Sequence, residues 1–342
     1  MNTLLGFLLF SFTINAALIV PFINILYTLK FQRPSQKTSD FMGVINNVYN
    51  KLHKKKAGVP VGGGLLIIVT TCLLYILVAG MLRLVGAPIG SVYPMRMEVN
   101  VIFATFILFG ILGLYDDVMK FFGKNSGLVG ISMRVKLVIQ IMLSVGISYY
   151  LYNVMGISII NIPYLGVWNL GWFFVPFASF FIVAFSNAVN ITDGLDGLAP
   201  GLLMITLFAL TLIAASILDT PIALFLALWL GGLLAFLYFN TYPARIHLGD
   251  VGALSFGATL AVIALLLGKV VAVVVISGVF ILEIVTSSIQ MFGKRYLGRR
   301  LLPISPFHLW LQLIGWEEPK IVARSWLAGI ILALFGLWLA FI

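Results

Sequence analysis

Apolar residues in this chain arrive in long unbroken runs, and polar residues arrive in short clusters between them. The runs lie near 3–29, 62–82, 98–115, 136–154, 172–190, 198–217, 221–240, 251–267, 270–291 and 322–341. Each is close to the roughly 17–25 residues a helix needs to cross a bilayer. The pattern predicts ten transmembrane helices, and so an all-α polytopic integral membrane protein forming a single transmembrane domain over residues 1–342. The first run lacks the basic start and small-residue cleavage site of a signal peptide, so it reads as a span.

Composition agrees. Of 342 residues, 61% are hydrophobic and 9% charged, too little charge for a soluble domain of this length. The single cysteine, Cys72, excludes an internal disulfide, a thiolate metal cluster and a redox pair. The net charge of +10 would suit nucleic acid, but its distribution argues for topology instead. Eighteen of the 21 basic residues fall in alternate loops, leaving only Arg83, Arg96 and Lys269 for the others. Basic loops stay in the cytoplasm, which places 30–61, 116–136, 190–197, 240–250 and 292–324 inside and both termini on the periplasmic or extracellular side. No nucleic-acid partner is expected.

The acidic residues carry the chemistry. Asp116, Asp117, Asp193, Asp196 and Asp250 all lie at or just beyond cytoplasmic helix ends, which predicts one shared polar site. Asp116 and Asp117 repel unless a cation offsets them, and Lys120 is one helical turn away. Asn187, Asn190, Asp193 and Asp196 recur every third residue, so a helix would align them along one face. Asp250, between Gly249 and Gly252, presents a carboxylate suited to a hard ion such as Mg²⁺. Lys55 and Lys56 precede a glycine-rich turn, Gly58 to Gly64, that would suit phosphate without being a P-loop. The 292–324 segment mixes basic and aromatic residues, as docking of an anionic, partly planar ligand requires. The bland alternatives are an ordinary ion pair at a helix end, a capping aspartate at 250 and basic side chains facing lipid headgroups.

Taken together, these segments resemble the polyprenyl-phosphate N-acetylhexosamine-1-phosphate transferase superfamily. The anchors are Asp116-Asp117 with Lys120, the Asn187-to-Ala199 segment, and Phe239-Asn240 with Tyr242-Pro243-Ala244 and Leu248-Gly249-Asp250. Asn240 to Ala244, Glu283 with Gln290, and Gly315-Trp316 with Glu318-Pro319-Lys320 are most similar to its phospho-N-acetylmuramoyl-pentapeptide transferase branch. The resemblance implies ten helices with both termini outside, in a bacterial inner membrane with the active site facing the cytoplasm. It implies transfer from UDP-N-acetylmuramoyl-pentapeptide to undecaprenyl phosphate, giving lipid I and UMP for peptidoglycan synthesis, with Mg²⁺ as cofactor and a homodimer as the assembly. Asp250, with Asp116, would hold the metal, and Asp116, Asp117, Asp193 and Asp250 would be catalytic. Asn190, Asp196 and Lys56 would line a uridine pocket, Lys120 and Lys124 would hold phosphates, and Asn240 and Gln290 would support the site. Asn187, His247 and His308 complete the substrate-binding set.

Three features depart from that branch. Its three consecutive histidines are His308-Leu309-Trp310 here, its Gly-Thr-Pro-Thr turn is Gly58-Val59-Pro60-Val61, and its uracil-stacking aromatic is His247. These changes touch the donor side of the pocket, so a related UDP-sugar such as an N-acetylglucosamine-1-phosphate donor is the alternative within the superfamily. A lipid-substrate transporter or flippase is the alternative of another class. It is disfavoured because the acids gather at one face while transporter sites lie at the midplane.

Overall fold

The computed structural model describes residues 2–32, 58–86, 88–126 and 132–342, with the side chains of Asn2 and of residues 121–126 left aside. In chain order the helices are α1 (Asn2–Thr28), α2 (Gly63–Leu84), α3 (Met95–Ser126), α4 (Met133–Asn153), α5 (Phe174–Thr192), α6 (Leu198–Ser216), α7 (Thr220–Asn240) and α8 (Gly249–Leu266). They continue with α9 (Val270–Ile276), α10 (Gly278–Tyr296), α11 (Phe307–Leu313) and α12 (Glu318–Ala340). Among the described residues, nine helices are long and apolar enough to cross a membrane, and α9 with α10 forms a tenth, bent pair. The chain is therefore a polytopic, almost wholly helical membrane protein.

Three sequence boundaries shift, each for a local reason. The expected straight span over 270–291 is broken at Ser277, where α9 and α10 meet at 82°. A Ser-Gly pair, Ser277-Gly278, occupies the break, a common kink composition. Helix α3 runs well past residue 115, so Asp116, Asp117 and Lys120 are helical rather than part of a loop. An i,i+4 pair between Asp116 and Lys120 lets the helix continue into polar sequence. Helix α12 begins early, with Pro319 in its first turn, where its missing N–H costs nothing.

Among the described residues, one two-stranded element is not helical. Ile159–Ile162 (β1) pairs antiparallel with Gly166–Asn169 (β2), in a register that sets Ile159 opposite Asn169 and Ile162 opposite Gly166. The all-helical expectation omitted this hairpin because it lies in a short segment between spans.

The centre of the bundle is α8, whose 18-residue length is wholly buried. A helix apolar on every face belongs inside. Small residues bring its neighbours close. A Cβ on Gly113 of α3 would overlap the Asp250 carbonyl, one on Gly64 of α2 would overlap Gly252, and one on Gly257 would overlap the Phe185 carbonyl of α5. Ser255 Oγ donates to the Phe106 carbonyl at 2.6 Å, and Ser186 Oγ to the Leu254 carbonyl at 3.1 Å. An aromatic cluster of Phe106, Phe225, Trp229 and Phe256 fills the space beside it. The start of α8 is thus pinned against the end of α3. Chain tracing from Phe31, bonded to Val61, and from Glu318, bonded to Asp196, puts both termini at the end of the bundle away from Asp250.

Candidate active site

Successive residues on a helix point about 100° apart, so Asp116 and Asp117 have different neighbours. Asp117 is fully buried and turned toward the start of α8, where its Oδ2 accepts from the Val251 N–H at 3.1 Å. A carboxylate there satisfies one of the helix's open donors and complements the positive end of its dipole. Gly249, with φ of 80°, makes the turn beneath it, and a Cβ there would come within 2.7 Å of Asp117 Oδ2.

Asp116 faces Asp250 and two lysines. Its Oδ2 lies 3.0 Å from Lys120 Nζ and 2.8 Å from Lys136 Nζ. Asp250 Oδ2 lies 2.9 Å from Lys120 Nζ and also pairs closely with Lys136. The two carboxylates are within hydrogen-bonding reach of each other. Four charges from α3, α4 and α8 therefore form one alternating quartet. Burying two like charges side by side is costly, and the shared ammonium groups offset that cost. The lysines differ in exposure: the side chain of Lys120 is 42% exposed and that of Lys136 is 13% exposed.

The aspartates do not all gather at one point. Among the described residues, no three His, Cys, Asp or Glu side chains are close enough together to hold an ion. Asp193 caps the end of α5, which stops after Thr192. The expected helical stripe thus holds through Asn187 and Asn190 and breaks before Asp196. Two glycines, Gly194 and Gly197, turn the chain, the latter with φ of 81°.

That turn is tied into a second cluster. The Asp196 N–H donates to Glu318 Oε1 at 2.6 Å, its Oδ2 accepts from the Ala244 N–H at 3.0 Å, and its Oδ1 lies 3.9 Å from His247 Nδ1. Asn240 accepts from the Gly197 N–H at 3.0 Å and donates to the Ile246 carbonyl at 2.7 Å. His247 is anchored through its backbone to Pro60, Gly62 and Gly63. Gln290 closes on the backbone of Leu301 and Leu302, and Asn187 donates to Gln140 Oε1 at 2.8 Å. His308 is buried, with Nδ1 3.1 Å from Glu283 Oε2, and its Nε2 lies 2.6 Å from where a Cβ on Gly194 would sit. Nε2 faces the turn next to Asp193.

The model of glycosyl transferase family 4 matches residues 99–268, which include all the aspartates above, Lys120 and Lys136. The chain is 34% identical to a phospho-N-acetylmuramoyl-pentapeptide-transferase of Halalkalibacterium halodurans over 99% of this chain and 98% of that protein. Proteins of the same name from Clostridium novyi and Clostridium beijerinckii are 34% and 32% identical over 83% and 94% of this chain, and over 83% and 91% of their own lengths. The chain belongs to the phospho-N-acetylmuramoyl-pentapeptide-transferase family.

Membership makes it a phosphoglycosyl transferase, and several side chains then take on definite places. Asp116, Asp250 and Lys120 converge, while Asp117 is aimed at backbone. Asp193, Asp196 and His247 belong to the adjoining turns, Asn240 ends α7, and His308 lies in the first turn of α11. Asn187, Asn240 and Gln290 have their amides engaged within the protein. Asn190 is half-buried one turn beyond Asn187. Lys56, and the side chain of Lys124, lie outside the described residues. Gly63 and Gly64 pack α2 against Phe236 and Gly252, while the lysines of the expected phosphate cradle lie outside the described residues.

The sequence reading counted Lys136 only as a loop charge. A cation in the first turn of α4, where the helix dipole disfavours it, was the available signal. Glu283 and Glu318 entered the sequence reading only as family matches, whereas Glu283 pairs with His308 and Glu318 accepts from the Asp196 N–H.

Proposed function

We propose that this transferase moves phospho-N-acetylmuramoyl-pentapeptide from its UDP carrier to undecaprenyl phosphate, releasing UMP and forming lipid I. The active site faces the cytoplasm of a bacterial inner membrane, on the side of the basic loops. The observation that carries this reading is the Asp116–Lys120–Lys136–Asp250 quartet at the mouth of α8.

Attack of one phosphate on a pyrophosphate is opposed by dense negative charge, so the protein's task is to neutralise and align. A phosphate oxygen of the acceptor bonds to the phosphorus next to the sugar. The bond from that phosphorus to the UMP oxygen breaks, and UMP leaves as the phosphate. If the acceptor enters protonated, Asp116 takes the proton. Lys120, the more exposed cation, is placed to meet incoming phosphate, and Lys136 holds Asp116 and Asp250 in register. Asp117 positions Asp250 by fixing the first turn of α8.

The donor set fits Mg²⁺. Asp116 and Asp250 offer two hard oxygens, and Mg²⁺ is commonly held by one or two carboxylates plus substrate phosphates. When bound, the ion would neutralise phosphate charge. Two carboxylates flanked by two ammonium groups suit an ion that arrives with its phosphate ligand.

The test is a donor panel. Purified protein with undecaprenyl phosphate and Mg²⁺ is offered UDP-N-acetylmuramoyl-pentapeptide or UDP-N-acetylglucosamine, and UMP and lipid product are measured. Product from the muramoyl donor alone is expected. Product from the N-acetylglucosamine donor alone would overturn the donor assignment, and the His308-Leu309-Trp310 and His247 departures are where that outcome would originate. In single turnover, UMP released without acceptor would count against direct attack and favour an aspartyl intermediate.

A further inference from the structure

At the end of the bundle away from the quartet, the hairpin, the start of α9 and the end of α12 line an open cavity of about 300 Å³. Lys269 lines it, beside Asn161, Tyr164 and Leu339. Lys269 is half-buried, and among the described residues its ammonium forms no ion pair. The acidic side chains at this end are committed elsewhere: Glu98 accepts from Ser91, and Asp219 accepts from the amides of Val92 and Ile222, while Ile342, the C-terminal residue, shares the cavity wall without an ion pair to Lys269. A cation that has lost part of its hydration without gaining a counter-ion favours an anion in the adjoining space. The cavity has room for about ten waters, enough for a phosphate ester.

The surroundings narrow the anion's source. Tyr164 lies against Trp338 in a tilted pair, with ring centroids 6.3 Å apart. Trp168 and Trp172 are exposed close by, an aromatic grouping characteristic of the membrane–water boundary. Below it α12 exposes Ile331, Leu334 and Phe335, an apolar strip running into bilayer depth. An anion seated at Lys269 therefore has a surface for acyl chains directly beneath it.

We propose that this cavity binds the headgroup of an anionic phospholipid, with Lys269 contacting its phosphate and the Tyr164–Trp338 edge flanking the glycerol. The site is separate from the transferase centre and independent of the donor assignment.

Hydrogen exchange of the hairpin tests it. Full-length protein is placed in nanodiscs of phosphatidylcholine with or without phosphatidylglycerol, and exchange of residues 159–169 is followed. Phosphatidylglycerol should slow that exchange roughly fivefold, the effect of one basic residue near an anionic surface. Lys269→Gln should remove the slowing, while Lys269→Arg and Arg83→Gln should keep it. Each variant's transferase rate serves as the check on folding, and the lipid comparison on unaltered protein stands without any variant. Equal exchange in both lipids, or slowing that survives Lys269→Gln, would overturn the proposal. So would slowing reproduced by inorganic phosphate in phosphatidylcholine discs, or slowing that follows the number of chains per disc rather than lipid charge, which would assign the surface to a second copy.

Discussion

Two buried carboxylate pairs stand at opposite ends of this bundle, about 27 Å apart along α3, and they are satisfied in different ways. At one end Asp116 and Asp250 meet the ammonium groups of Lys120 and Lys136. At the other, Glu98 accepts from the Ser91 hydroxyl, and Asp219 accepts from the amides of Val92 and of Ile222 at the start of α7. Tyr93, between spans, feels that second pair: burial first, then Glu98 and Asp219, push its hydroxyl's pKa up. Burial of acid alone therefore does not mark a reactive site. Partners do. Backbone amides are fixed by the helix they belong to, whereas lysine side chains carry charge that can be shared with a phosphate.

This contrast is open to measurement. Asp250→Asn and Asp116→Asn keep the shape of the site but remove charge, and each should lower the transfer rate by at least about 10²–10³-fold while the helices stay formed. A rate assay beside circular dichroism checks it. Loss below tenfold in both variants would equate the two ends. Lys136→Met should cost roughly tenfold to a hundredfold, because the carboxylates lose the cation that keeps them aligned. Lys136→Arg should restore part of the rate. Gly249→Ala adds a Cβ against Asp117 at a left-handed φ, so it should lower stability by about 1–3 kcal/mol, read as a drop in thermal unfolding temperature. Glu98→Gln, at the opposite end, should leave the transfer rate within about twofold, since its partners are structural. A large loss there would make the outer pair part of catalysis.

Much of the fold was legible from the chain because its hydrophobic runs match bilayer thickness. The exceptions were local. The Ser277 break looks, in hydropathy, like any other point in an apolar run, and the hairpin at 159–169 is too short to outweigh the helical pattern around it. The candidate site was partly legible for the same reason. Carboxylates at helix ends are conspicuous in an apolar chain, so Asp116 and Asp250 stood out. What pattern could not supply was direction. Asp117, adjacent to Asp116, points into backbone because residues on a helix diverge by 100°. Asn240 and Gln290 look like ligand amides in sequence, yet their donors and acceptors close on loops. Lys136 became a site residue only when α4 was placed beside α3.

The most direct test of the central claim, that Asp116 and Asp250 together hold one divalent ion, is Mn²⁺ binding to the purified transferase followed by electron paramagnetic resonance. One tightly bound Mn²⁺ per chain is expected, lost in Asp116→Asn and in Asp250→Asn and retained in Glu98→Gln. Binding undiminished in either aspartate variant would contradict it.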